Sequence, residues 1–370
     1  MHDEHPTAPF DQAGDGLPLT LTEVHRRITG ESRQEQVGIV EVVTARGYGR
    51  RYLLPMPLLV APALVDAVTQ GLLGAIDVDG GATDEQLAVL RAVVTYLWER
   101  PDLDFSTLAP LTASETAAAI HDPQARRRFN ELMVTLELCR HPETATQIER
   151  VEQYAEALEV GGPHLQIVRD WVDEGAERAT EDFDRFYADD LPTLSEPTLR
   201  DRYLHLDEPD LELAARLEAL HDHPEGTLGW SYIEFYRRNR ITVPGADTHT
   251  PAHYVSHDMN HVISGYEPTG PGEIALGAFT LAMNDNDANW LQFVTSLVIH
   301  EAGLLKHGEI SPKSSTLTRE GATHLLGEAL ARGARCTSDF SQTDHLGMAD
   351  WPLESVRTYY HVVPLAHPMY

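Results

Sequence analysis

The chain has 370 residues, with 58 acidic side chains against 28 basic ones and a formal net charge of −30. That balance excludes direct nucleic-acid binding, which needs a basic surface to displace counterions, and broad electrostatic adhesion to anionic lipid. The apolar share of 42% is well above that of a disordered chain, and the length allows two domains with a sizeable core.

Residues 1–20 are acidic and contain Pro and Gly, without the basic and apolar regions of a secretion signal; they read as a disordered tail. Residues 36–54 are β-branched and broken at Arg46-Gly-Tyr-Gly49, which suits a small β-hairpin. Arg46, Arg50 and Arg51 there read as a solvated turn. The most apolar run, Leu53–Ile76, is broken by Pro55, Pro57, Pro62, Asp66 and Gln70 and is no membrane span. Cys139 and Cys336 lie far apart and form no disulfide framework; a reducing, cytoplasmic setting is expected.

From Pro55 onward the periodicity is helical. The Asp77–Glu85 loop opens like a calcium loop but lacks the later ligands and the closing Glu, and Thr83 reads as an N-cap. Helices are predicted at about 84–99, 112–121, 124–140, 143–160 and 163–185. The expected organisation is mainly all-α, with a helical domain over 21–185, an acidic, Pro-bearing linker over 186–200 and a second helical domain over 201–370. In the second, helices are expected at 211–221 and 228–239. Leu228, Tyr232, Phe235, Tyr236 and Asn239 share one face of the latter. Such a stripe is either core or the wall of a pocket that finishes in the polar Asn239.

Residues 257–273 concentrate the chemistry. His257 and His261 are one helical turn apart, so their rings point the same way, and Asp258 lies within the same arc. The Gly265–Gly272 stretch, with two prolines, cannot continue a helix. It turns the chain and allows Glu273 to return toward the imidazoles. Two imidazoles with one or two carboxylates suit Zn²⁺, or a harder ion completed by water. The plain alternative is a polar hairpin on the surface of a His-rich chain. A following helix, 288–306, puts Trp290, Phe293, Leu297, His300 and Leu304 on one stripe, where His300 reads first as a core residue. His300, Glu301 and His307 form a rival metal set, although the spacing is not that of H-E-x-x-H. Helices at 317–332 and 353–361 close the chain.

His257-Asp-x-x-His261, eleven residues, then Glu273 resembles the signature of the coenzyme Q biosynthesis protein 4 family. The run Pro224–Asn239, the text around the motif, and Trp351–Arg357 with Val363-Pro364 resemble the same family in order, over about 195–366. The run after Glu273 is smaller here, rich in Ala and Gly. The resemblance implies ubiquinone-type metabolism: a metal held by His257, Asp258, His261 and Glu273, Zn²⁺ first, with Mg²⁺, Mn²⁺ and Fe²⁺ as alternatives. It implies a prenylated aromatic ligand beside Tyr232, Phe235, Tyr236, Asn239 and His300, and oxidative decarboxylation with hydroxylation of its ring. The other readings are a non-catalytic lipid-binding scaffold for biosynthetic enzymes and an HD-type phosphohydrolase. The latter would need His221 or His253 and Asp285 or Asp287 as further ligands. Residues 55–185 are similar to the tellurite-resistance TerB-like helical domain. A homo-oligomer and peripheral membrane contact are expected.

Overall fold

The structure is a computed structural model that describes residues 39–44, 47–52, 60–161, 194–202, 208–304 and 314–366. The expected disordered tail, the helix at 163–185, most of the linker and His307 lie outside these residues. The described residues fall in one compact unit, Val37–Tyr370. It is helical, as its periodicity requires, with one antiparallel hairpin. Strands β1 (Ile39–Thr44) and β2 (Gly47–Tyr52) pair from Ile39 with Tyr52 to Thr44 with Gly47.

The first group of helices comprises α1 (Val65–Ile76), α2 (Asp84–Ala92), α3 (Ala113–Ala119), α4 (Pro123–Leu138) and α5 (Ala145–Ala157). Thr83 caps α2 in a reciprocal capping box with Gln86. Gln86 then continues inward, donating to the Leu136 carbonyl (3.0 Å) and to Gln147 Oε1 (3.2 Å), which ties α2 to α4 and α5.

The second group comprises α6 (Leu211–Glu218), α7 (Leu228–Asn239), α8 (Tyr254–Ser264), α9 (Gly270–Met283), α10 (Asp287–Leu297), α11 (Ala322–Gly333) and α12 (Leu353–Tyr360). A π-helical turn, Val298–Ala302, extends α10.

Helix α9 is the centre. After its first turn it is buried on every side, from Ile274 to Met283, and it packs on α10 and α11. Its small residues explain the packing. A Cβ at Gly277 would fall 2.8 Å from Phe293 Cα, and one at Gly333 of α11 would fall 2.1 Å from the Phe279 carbonyl oxygen. The Ala- and Gly-rich run after Glu273 is therefore what lets three backbones approach one another. Helices from both groups share contacts: α2 and α11 pack together, as do α4 and α10.

Among the described residues no helix is long and apolar enough to cross a membrane.

Candidate metal centre

Helix α8 turns Val255, Met259, Val262 and Ile263 into the core, which leaves His257 and His261 on a neighbouring face. The helix ends at Gly265, whose φ of 89° is left-handed and whose N–H reaches the His261 carbonyl (2.7 Å). Thr269 then caps α9 by accepting from the Gly272 N–H, and Pro271 fits the first turn, where no N–H is needed. The turn is short enough that Glu273, in the first turn of α9, comes back to the two imidazoles.

Three donor atoms meet there. His257 Nε2 lies 3.2 Å from Glu273 Oε2, His261 Nε2 lies 3.3 Å from the same oxygen, and the two ring nitrogens are 3.1 Å apart. His261 Nδ1 donates to the Tyr266 carbonyl at 2.9 Å. A carbonyl only accepts, so the neutral His261 ring carries its proton on Nδ1 and presents the Nε2 lone pair to Glu273. With both rings neutral, two lone pairs thus face each other, and one proton at most, from His257, is shared among three atoms. A divalent cation suits such a donor set, and the three atoms are close enough to be ligands of one ion. Protons can do the same work where no ion is bound. Burial works to raise Glu273, yet the positive charge and hydrogen bonds of the protonated His261 and His257 rings hold its carboxyl well below the usual range. Burial opposes a charge on His257, but the Glu273 hydrogen bond and charge, with Asp258 behind, hold it above its ordinary value.

Asp258 does not join these three. Its carboxylate is buried and accepts from the Tyr236 hydroxyl, which itself lies 3.2 Å from the Tyr232 hydroxyl. Burial raises the Asp258 pKa, and burial beside Asp258 raises both tyrosines well above their ordinary value. The aromatic stripe of α7 is accordingly core. Phe235 stacks on the His261 ring, 5.5 Å between centroids, and backs it from behind. Asn239 donates to the Phe235 carbonyl (3.0 Å) and to Glu267 Oε2 (2.9 Å). Tyr232, Phe235, Tyr236 and Asn239 support the site without lining the open space beside it.

That space is a cleft of about 700 Å³, open mouth included. His257 and Glu273 form part of its floor, and His257, 30% exposed in its side chain, gives the most access, whereas His261 is sealed. Its walls come from α9 and α10: Leu276 and Gly277 face Gln292, Thr295, Ser296, Ile299 and His300, with Leu194 at one side. His300 therefore faces the cleft, as a ligand-contact residue would. Glu301 turns away from it, to His141. Asp285 and Asp287 pair with Arg127.

Sequence reasoning missed the residues that hold α8 in place. Arg357 donates to the Val262 and Ile263 carbonyls, both at 2.9 Å, and Arg332 to the Ser264 carbonyl (2.7 Å) and the Tyr266 hydroxyl (2.6 Å). These carbonyls belong to the last turn of α8, which has no helical partners for them and favours cations. Arg357 sits in a text already singled out at the chain's end; no local pattern marks Arg332. Asn260, inside the histidine motif, is fixed by Ser341 and His345.

No protein family matches the chain, and no curated protein does. A solved structure, the "Putative ubiquinone biosynthesis protein" of Nostoc punctiforme PCC 73102, is similar at 18% identity over 64% of this chain and 98% of that one, with a TM-score of 0.31. A likeness that slight bears on neither fold nor function.

Proposed function

We propose that this chain binds a divalent metal, Zn²⁺ first, through His257, His261 and Glu273, and takes a small aromatic of quinone or prenylated-aromatic metabolism in the adjoining cleft. The observation that carries the reading is the convergence of three donor atoms, with His257 and Glu273 lining an open cleft and His261 sealed behind them. When bound, the ion would supply Lewis acidity toward a carboxylate or phenolate. The chain's own residues do the rest. Tyr266 fixes the His261 tautomer, and Phe235 fixes its ring plane. Leu194, Leu276 and Ile299 offer apolar contact to a ring. Gln292, Ser296 and Thr295 can read its substituents, and Thr295 Oγ1 is buried with no hydrogen-bond partner.

The resemblance of the histidine motif supports oxidative decarboxylation of a ring carboxylate as the reaction: the carboxylate leaves as CO2, a hydroxyl takes its carbon, and dioxygen from solution, with water, would accept the two electrons and leave as hydrogen peroxide. Elemental analysis with mass spectrometry of freshly purified protein tests the reading. Expected are about one equivalent of metal lost in His257→Ala/His261→Ala and a co-purified aromatic lost with it. Full metal retention in that variant would overturn the site. Turnover of a prenylated hydroxybenzoate by the metal-loaded protein separates an enzyme from a non-catalytic lipid-binding scaffold.

A further inference from the structure

The π-helical turn after α10 places two consecutive residues on two different clusters. His300 faces the cleft, and Glu301, fully buried, faces the first group of helices. A π turn inserts one residue into a helix and recurs at functional sites. Glu301 Oε1 lies 2.8 Å from His141 Nε2, in the connection between α4 and α5. Glu85, in the first turn of α2, brings Oε2 to 3.9 Å from the same nitrogen. The ligand atoms of the three residues lie within 4.8 Å of one another.

The hydrogen bonds of this cluster do not close. Glu301 Oε2 accepts from the Leu317 N–H (2.8 Å), and its Oε1 takes the proton that His141 Nε2 can offer. An imidazole has one hydrogen on that nitrogen, so it cannot serve Glu85 as well. Glu85, with only 9% of its side chain exposed, keeps Oε1 buried without a hydrogen-bond partner. Two carboxylates and one imidazole, drawn from three separate segments, thus meet in a largely buried setting. Burial and the neighbouring Glu301 push the Glu85 carboxyl up to about 8, so a proton holds the metal-free cluster together, and a divalent cation can take that proton's place.

We propose that Glu85, His141 and Glu301 form a second divalent-cation site, independent of the cleft, that fastens α2 and the α4–α5 connection to the π turn. One nitrogen and two carboxylate donors suit Zn²⁺, with Mn²⁺ as the harder alternative, completed by water. The ion would fix the π turn from the side opposite to the cleft.

The test uses the full chain stripped by chelator and titrated calorimetrically with Zn²⁺ alone. The His257→Ala/His261→Ala variant should still take up about one equivalent, against about two in the parent. Adding Glu85→Gln, which keeps the side chain's shape and removes its charge, should abolish that remaining uptake, and His141→Ala should do the same. Absence of any Zn²⁺ uptake by His257→Ala/His261→Ala overturns the proposal, as does uptake indifferent to Glu85→Gln. Circular dichroism checks that each variant is folded. If the Glu85 and His141 variants both unfold, X-ray absorption at the zinc edge of the His257→Ala/His261→Ala protein decides. One imidazole with oxygen donors supports the site; two imidazoles or a sulfur donor overturn it.

Discussion

The Tyr266 carbonyl accepts the Nδ1–H of His261 at 2.9 Å, and through that bond the turn after α8 sets which lone pair the imidazole shows to Glu273. The partner is a backbone atom five residues on, so the geometry of the turn, not another side chain, selects the tautomer.

A first prediction concerns that tautomer. In ¹⁵N-histidine spectra, the neutral form of the His261 ring should show a protonated Nδ1 and a bare Nε2, with Zn²⁺ shifting the Nε2 signal. A protonated Nε2 in the neutral ring would contradict the geometry.

Arg332 gives a second. Its guanidinium serves the Ser264 carbonyl, the Tyr266 hydroxyl and the Val363 carbonyl (2.7 Å) at once. Arg332→Met leaves these buried acceptors unmatched and should cost about 3 kcal/mol in urea unfolding. Arg332→Lys should rescue little of this, because an ammonium cannot reproduce the planar fork. Both variants should also bind Zn²⁺ more weakly at His257, His261 and Glu273, because the turn that carries Tyr266 is loosened.

Gly277 gives a third. A Cβ there meets Phe293 Cα at 2.8 Å, and a backbone atom cannot swing aside as a side-chain tip can. Gly277→Val should force α9 and α10 apart and cost roughly 1–3 kcal/mol, read as a lower thermal midpoint. Gly277 also lines the cleft, so ligand binding should weaken more than metal binding. Ile299→Trp, which fills the cleft from the opposite wall, should abolish ligand retention and leave the metal content unchanged.

The pH dependence of stability supplies a fourth. His345 is fully buried and donates from Nε2 to Asn260 Oδ1 at 3.2 Å. Burial pushes its pKa down from 6.5 to about 4. The folded value lies below the unfolded one, so the unfolded state takes up the proton first. The contribution is present in full above pH 6.5 and is lost as the pH falls toward 4. The loss amounts to about 3 kcal/mol across that window. His345→Gln should flatten this slope in urea denaturation between pH 7.5 and 4.5. An unchanged slope would show that His345 already titrates in the folded state.

The sequence by itself made legible the helices found among the described residues and the approach of His257, His261 and Glu273, although it counted Asp258 with them. Both rest on local geometry: an apolar stripe repeats every 3.6 residues, and His257 and His261 are one turn apart wherever the helix lies. The Gly/Pro turn likewise carries its own reason for bringing Glu273 back. Tertiary structure decided the rest. The α7 stripe of Tyr232, Phe235 and Tyr236 was consistent with either core or pocket wall, and only its packing behind His261 and Asp258 made it core. Asp258 falls within the arc of His261, but rotation about its side chain is free until the Tyr236 hydroxyl captures it. Arg332, Arg357, and the meeting of Glu85 with His141 and Glu301 join segments far apart in the chain. No periodicity records such encounters, because they depend on how α9 lets its neighbours close over it.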